Sequence, residues 1–339
     1  MRTADFDFFL PPAQIAQEPA EPRDASRLMV LHRQTPDLEH LRFSELPSRL
    51  QAGDLLVVND TRVMAARLFG RREDTGGAVE ALLVRPFSDL RWEVLFRPAR
   101  QAVPGRRFRF STADGELGGV VVSRDQGVAL IDFDRPFDPG TVGSLPLPPY
   151  ITGYRGDPER YQTVYGRFPR SAAAPTAGLH FTSELLERLE SSGVRTAAVT
   201  LEVGPGTFRP VTVEDPREHH LHPEHVTVPA SAAAAIREAR AEGRRVIAVG
   251  TTVVRTLEHV ARVCGEVVPY EGWTSLRILP GDEFLVIDGL ITNFHLPRST
   301  LLMLVCAFAG TERVLDAYRL AVREGYRFYS FGDAMAVLP

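Results

Sequence analysis

Between about Val63 and Asp134 the chain is written in period two, and on either side it is not. Six short runs, VMAARLFGR, AVEALLVR, RWEVLFR, RRFRFS, GELGGVVVS and GVALIDFD, alternate apolar and polar residues between turn signals such as Gly76-Gly77, Pro104-Gly105 and Asp114-Gly115. Six strands at that spacing close into a small barrel or sandwich. The flanking text carries helical spacing instead, in SELLERLESSG, ASAAAAIREARAEG, TTVVRTLEHVARVCG and TERVLDAYRLAVREG, which end in glycines suited to positive φ. Strand-like runs lie between and after them: VRTAAVTLEV, RRVIAVG, EFLVIDGLITNF and YRFYSF. Strands alternating with helices predict an α/β fold with a mixed, largely parallel sheet. The expected architecture is therefore an α/β domain of residues 1–60 and 151–339 carrying an inserted six-stranded β-barrel domain at 61–150, with SLPLPPY as a stiff return linker. A length of 339 residues fits two such domains.

All 39 basic residues are arginine. That excludes Schiff-base lysines, a pyridoxal-phosphate anchor and a Walker A loop. Net charge is −4, but residues 61–135 hold 13 arginines against 10 acids, so any basic patch is local to the barrel. There Arg97, Arg100, Arg106, Arg107 and Arg109 fall in thirteen residues without an acid, interleaved with Phe96, Phe108 and Phe110. Guanidinium forks beside aromatic faces suit an RNA backbone and unstacked bases; a solvated hairpin edge with inward phenylalanines gives the same pattern. Cys264 and Cys306 sit in apolar segments and read as buried, reduced thiols of a cytoplasmic protein. The longest apolar run, Leu301 to Ala309, is far short of the ~20 residues of a membrane helix.

Chemistry gathers at four places. In VIAVGTTVVRTLE a strand passes through Gly250 into a helix opened by Thr251 and Thr252, whose free N–H groups suit an anion, with Arg255 one turn in as a clamp. In SAAAPTAGLHFT small residues, Thr176 and Gly178 lead to His180 just before a helix capped by Thr182 or Ser183. In ITNFHLPRSTLLMLV a strand ends in Asn293, Phe294 and His295, and Ser299 or Thr300 caps an apolar helix. EHHLHPEH places His219, His220, His222 and His225 beside Glu218 and Glu224, a spacing that could hold zinc but lacks a distant ligand set. Arg23, Asp24, Ser26 and Arg27 before a strand, Asn59 to Arg62 at a strand end, and Asp333 after the YRFYSF run complete the inventory. Polar groups at strand ends point to a cleft between the domains.

Taken together, RDASRLMVL, AGDLLVVNDTRVMAARLFGR, PLPPYI, ERYQTVYG, APTAGLHFT, GTFRPV, GTTVVRTLE, ITNFHLPRSTLLMLV and REGYRFYSFGDAM resemble, in order and nearly end to end, the bacterial S-adenosylmethionine:tRNA ribosyltransferase-isomerases of queuosine biosynthesis. The resemblance implies an α/β domain with an inserted barrel. It also implies that the ribosyl part of S-adenosylmethionine, a co-substrate, moves to 7-aminomethyl-7-deazaguanine at the tRNA wobble position and is rearranged to give epoxyqueuosine, adenine and methionine. On that reading His180 and His295 are candidates for proton transfer and Asp333 or Asp60 for a carboxylate partner. Thr251, Thr252 and Arg255 would hold an anionic group, with Thr176, Gly178, Asn293, Ser299, Arg62 and Arg27 lining the substrate site and the five barrel arginines meeting tRNA. No metal or redox cofactor is expected, and a monomer is the default. Glu202 and Pro205 stand where the family pattern has a histidine and a small or apolar residue, PPYITGYRGD lacks the usual basic pair, and His220 and His225 are additional. The readings from other classes are a non-catalytic RNA-binding protein using the barrel and a zinc hydrolase built on the histidines.

Overall fold

The computed structural model describes residues 1–125, 128–148, 150–204 and 211–339. Pro205 and most of the GTFRPV segment lie outside the described residues. The large sheet is assembled from β1 (Arg27–His32), β2 (Leu38–Arg42), β3 (Leu55–Asn59), β12 (Arg195–Leu201), β13 (Glu224–Val228), β14 (Val246–Val249), β15 (Tyr270–Thr274), β16 (Gly289–Asn293) and β17 (Ala334–Leu338), in the order β15-β13-β12-β3-β14-β16-β17-β1-β2. The pairings from β12 through β3 and β14 to β16 are parallel, as is β17 with β1. The β15-β13-β12 wing, β16 with β17, and β1 with β2 are antiparallel.

Both faces of this sheet are covered, which explains why its central strands are apolar without alternation. Leu55 and Val57 of β3, with Val246 and Ala248 of β14, pack under α2 (Ala230–Ala241), α3 (Thr251–Cys264), α4 (Thr300–Ala309) and α5 (Thr311–Arg323). Leu56, Val58, Ile247 and Val249 face the other way, onto Phe43, Leu46 and the Leu185 and Leu189 stripe of α1 (Ser183–Ser191). Gly193, Gly243, Gly265 and Gly325 end four helices at positive φ, as the sequence predicts.

The chain leaves the sheet after Asn59. A short β4 (Thr61–Val63) pairs in parallel with β11 (Phe168–Ser171), and between them runs a closed antiparallel barrel of β5 (Arg67–Arg72), β6 (Ala78–Pro86), β7 (Arg91–Arg97), β8 (Arg107–Thr112), β9 (Gly115–Asp125) and β10 (Val128–Phe133). Every expected barrel strand is present, because each carries its own inward apolar set: Leu68, Val79, Val94, Phe108, Leu117 and Ile131 are all buried.

Two expectations are corrected. YRFYSF is not a strand: Tyr326 and Phe328 turn inward against Phe294, Tyr329 takes φ 75°, and the final strand is β17 instead. Asp333 therefore precedes a strand rather than following one. Cys264 is exposed, because α3 ends with its last residues beyond the core, whereas Cys306 is buried and its thiol is pushed up to about 12 by burial. No helix among the described residues is long and apolar enough to cross a membrane.

The segment leading into β16 is held by one side chain. Glu258 of α3, fully buried, accepts from the N–H groups of Leu285 (2.8 Å) and Val286 (3.0 Å). Replacing it by alanine leaves these two donors, and the more distant N–H of Ile287 (3.4 Å), without that acceptor, a cost of roughly 2–3 kcal/mol. We expect Glu258→Ala to lower the melting temperature by several degrees and Glu258→Gln by less. Calorimetry of the two variants checks this, and an unchanged melting point for the alanine variant would refute it.

Candidate functional site

A cavity of about 1140 Å³ lies between the barrel and the β12–β13–β15 wing of the sheet, lined there by the segment after β12 and the start of α4 rather than by the ends of β3, β14 or β16. Met64, Trp92, Leu95 and Phe137 form its barrel wall, and Arg170, Glu202, Glu224, His225, Arg255 and Leu304 line the opposite side. The strand ends carry polar groups of their own. Asn59, at the end of β3, extends the ladder with its side chain, accepting from Leu201 N–H (3.1 Å), donating to Leu201 C=O (3.0 Å) and reaching Thr252 Oγ1 at 3.3 Å. Beside it Asp60 is buried and accepts from Thr200 Oγ1 at 2.7 Å; burial holds its carboxyl above the ordinary range, against the opposing pull of that hydrogen bond and of Arg167.

Gly250, at φ 93°, turns the end of β14 into α3, whose first residues Thr251 and Thr252 are buried. Arg255, one turn on, is not presented as an open anion clamp. Its Nη1 pairs with the buried Glu224 carboxylate and its Nε donates to Leu276 C=O at 2.9 Å. Glu224 in turn accepts from Gly204 N–H at 3.0 Å. The Arg255 Nη2 is buried and has no partner among the described residues.

The two histidines expected to move protons lie deeper and do not line the cavity. His180 Nδ1 donates to Ser26 Oγ (2.8 Å), while Nε2 accepts from the Asn293 amide (3.0 Å), whose oxygen accepts from Thr176 Oγ1 (2.9 Å). Its ring stacks on Phe43 with centroids 5.0 Å apart. His295 Nε2 bonds Thr292 Oγ1 at 2.8 Å and its backbone N–H donates to Tyr318. Both imidazoles are fully buried, and burial lowers each to about 3, helped at His180 by the positive charges of Arg327 and Arg23.

The remaining expected site residues are committed to local structure. Asp333 accepts from the N–H groups of Arg27 (2.9 Å) and Arg327 (2.8 Å). Arg27 donates to Glu324 C=O and lies 3.6 Å over the Tyr326 ring. Arg62 pairs with Glu159, and Ser299 caps α4 by accepting from Leu302 N–H. A Cβ on Gly178 would sit 2.1 Å from the Tyr165 hydroxyl, so it is Tyr165 that approaches its backbone. The histidine cluster is divided by strand alternation: Glu224 points inward to Arg255, His225 toward Glu202 and Glu271. Among the described residues no group of three or more His, Cys, Asp or Glu side chains is placed to hold a metal ion. The Glu224 pair, Arg170 and Trp273 were not singled out from sequence; the alternation of EHVTV was the one signal that could have turned Glu224 inward.

The profile of the queuosine biosynthesis protein family matches residues 3–337. The chain belongs to this family. It is 55% identical over the full length of both chains to an S-adenosylmethionine:tRNA ribosyltransferase-isomerase from Moorella thermoacetica, and 54% identical to one from Thermus thermophilus over 98% of each. The crystal structure of an S-adenosylmethionine tRNA ribosyltransferase from Thermotoga maritima, 41% identical, matches 98% of this chain and 100% of that one with a TM-score of 0.58.

On the barrel of this queuosine biosynthesis protein the arginine run divides. Arg97, Arg100 and Arg107 are exposed, and their guanidinium groups have no hydrogen-bond or ion-pair partner among the described residues. Arg106 donates to Gln101, and Arg109 is held between Glu73 and Asp134. Phe96, Phe108 and Phe110 are buried in the barrel core, so they offer no stacking face; period two sends them inward.

The buried imidazoles set a pH dependence. In the folded chain both stay neutral to about pH 3, whereas in the unfolded chain each protonates near 6.5. Between those values the unfolded state binds more protons, so stability falls as pH falls. We expect His180→Gln to flatten the slope of unfolding free energy against pH between 6 and 4 by on the order of 1 kcal/mol per pH unit. Urea titrations at several pH values measure it; parallel slopes for variant and wild type would contradict the assignment.

Proposed function

We propose that this chain transfers and isomerises the ribosyl moiety of S-adenosylmethionine onto 7-aminomethyl-7-deazaguanine at the wobble position of tRNA, giving epoxyqueuosine in tRNA and releasing adenine and methionine. The end-to-end identity of about one residue in two to enzymes of that name carries the reading. The cavity between the barrel and the β12–β13–β15 wing supports it, since about 1140 Å³ is room for a nucleoside and a second base together. On this proposal residues 61–150 form the inserted domain, the enzyme works in the cytoplasm, and S-adenosylmethionine is a co-substrate.

The chemistry asks for positioning more than for reactive side chains. A C–H bond beside a sulfonium is acidified by the positive sulfur, so a moderately basic group removes the proton. The protein then holds two partners in register and excludes water. We propose that the buried network of Thr176, Asn293, His180 and Ser26 fixes the floor of the site, with Thr251 and Thr252 opening α3 beside it. Arg255 lines the cavity, and its buried Nη2 is an unmet donor among the described residues. Arg97, Arg100 and Arg107, exposed and with guanidinium groups unpaired among the described residues, meet the tRNA backbone.

Incubation with S-adenosylmethionine and tRNA bearing the aminomethyl base tests the reaction: adenine release that requires both substrates is expected, and salt-sensitive tRNA binding without release would favour a non-catalytic binder. In the same assay, replacing Arg97, Arg100 and Arg107 together by alanine should raise KM for tRNA and reduce the slope of log affinity against log salt by about 2 to 3. Affinity for S-adenosylmethionine should not change. A salt slope equal to that of wild type would remove these arginines from the tRNA contact.

A further inference from the structure

Period two turns Phe96, Phe108 and Phe110 into the barrel core, so a stacking surface for RNA has to come from elsewhere. Among the described residues two exposed aromatic side chains line the cavity, one on the barrel and one on the sheet wing. Phe87, 58% exposed, opens the turn between β6 and β7, and Trp273, 47% exposed, is on β15, the edge strand of the sheet. The guanidinium of Arg85 bridges them, 4.8 Å from the centroid of Phe87 and 5.5 Å from that of Trp273, within the reach of a cation–π contact to each. Rings held open to water at the mouth of a cavity, rather than folded into it, mark a contact surface.

The neighbours of each group hold it in place. β15 runs antiparallel to β13 with Trp273 opposite His225, and the imidazole stands at 70° to the indole with centroids 5.1 Å apart. Strand alternation sends Thr274 inward and Trp273 outward. Arg85 is fixed by Glu93, its cross-strand neighbour on β7, whose carboxylate accepts from Nε at 3.0 Å and lies 2.9 Å from Nη2. With that edge engaged, the guanidinium acts through its planar face. The cavity wall carries four arginines and five carboxylates, and three of the arginines, Arg85, Arg170 and Arg255, are paired with carboxylates. Such a lining has no positive excess with which to hold phosphate. It suits a neutral planar group that gains by stacking, as a nucleobase does.

We propose that Trp273 and Phe87, bridged by Arg85, are a stacking clamp for a nucleobase of the tRNA anticodon loop that neighbours the wobble base. The inference rests on the reaction proposed above and adds to it the place of a flanking nucleotide. Drawing the wobble base into a cavity obliges the loop to unstack, and a neighbour deprived of its stacking partner regains one on an aromatic face. The exposed rim is the place for such a neighbour. S-adenosylmethionine has to be shielded from water as it reacts, whereas a flanking base stays joined to a backbone that runs outside. Stacking accepts any base, so the clamp contributes affinity and orientation rather than a choice of sequence.

The experiment pairs tryptophan emission with the kinetics of adenine release. The chain has two tryptophans, and the other, Trp92, is buried in the barrel. A saturating anticodon stem-loop carrying the aminomethyl base should quench the emission of the wild type, and S-adenosylmethionine alone should not. Trp273→Phe keeps a stacking ring, so it should lose the quenching while its KM for tRNA stays within about threefold of wild type. Trp273→Ala and Phe87→Ala should each raise KM for tRNA about 5- to 100-fold. Their KM for S-adenosylmethionine should stay within about threefold of wild type, and their salt slope should be unchanged because no phosphate contact is lost. Of two stem-loops, each abasic on one side of the wobble position, one should leave the emission unquenched at saturation. An unmoved KM for tRNA in both alanine variants, a raised KM for S-adenosylmethionine, or full quenching by both abasic loops overturns the clamp while leaving the reaction intact. Quenching by the stem-loop without adenine release from the wild type overturns the reaction and leaves the clamp standing.

Discussion

A strand buried on both faces can place polar groups only at its ends, and this constraint organises the molecule. β3 and β14 have apolar side chains above and below until their ends, so the sheet becomes polar abruptly at Asn59 and, past Gly250, at Thr251 and Thr252. Asn59 answers the exposed ladder of β12 with its own amide, supplying in one side chain the donor and acceptor that a further residue of strand would have supplied. The backbone is then free to depart, and it is here that the barrel is spliced in. The cavity lies beside this splice, between the barrel and the β12–β13–β15 wing of the sheet.

The buried ion pair of Arg255 and Glu224 fixes the far wall of that cavity. Withdrawing both charges from water is costly, and the pair is tolerable because nearly every polar atom has further work: Nε to Leu276, Oε1 to Gly204. The result ties α3 to the β13 wing and holds the segment after β12 beside it. An arginine suits this place better than a lysine, since a planar fork serves two acceptors from different chain segments at once.

What could be read in the sequence depended on whether one element decided a residue's surroundings. The barrel was legible because period two is a local property, and each of its strands alternates by itself. The helix caps were legible for the same reason: Thr182, Ser299 and the closing glycines act within one turn. YRFYSF misled because its aromatic alternation is that of a strand, while its burial comes from Phe294 and a reversal at Tyr329. Arg255 was placed at the right helix start, but Glu224, 31 residues away, decides what its guanidinium does. His180 was found by its motif, and its locked ring is a product of Ser26 and Asn293, from two other segments.

The histidines show most clearly how position outweighs residue type. The His180 ring is lowered to about 3 by burial, and both its nitrogens are engaged, Nδ1 with Ser26 and Nε2 with Asn293. Such a ring is a rigid spacer with one donor and one acceptor, well suited to setting the angle of Asn293. On β13 adjacent residues face opposite ways, so one step along the chain turns Glu224 inward to neutralise Arg255 and His225 outward to the cavity beside Glu202. A run of four histidines and two glutamates that suggests a metal site on paper is thereby divided into a structural carboxylate and an accessible imidazole.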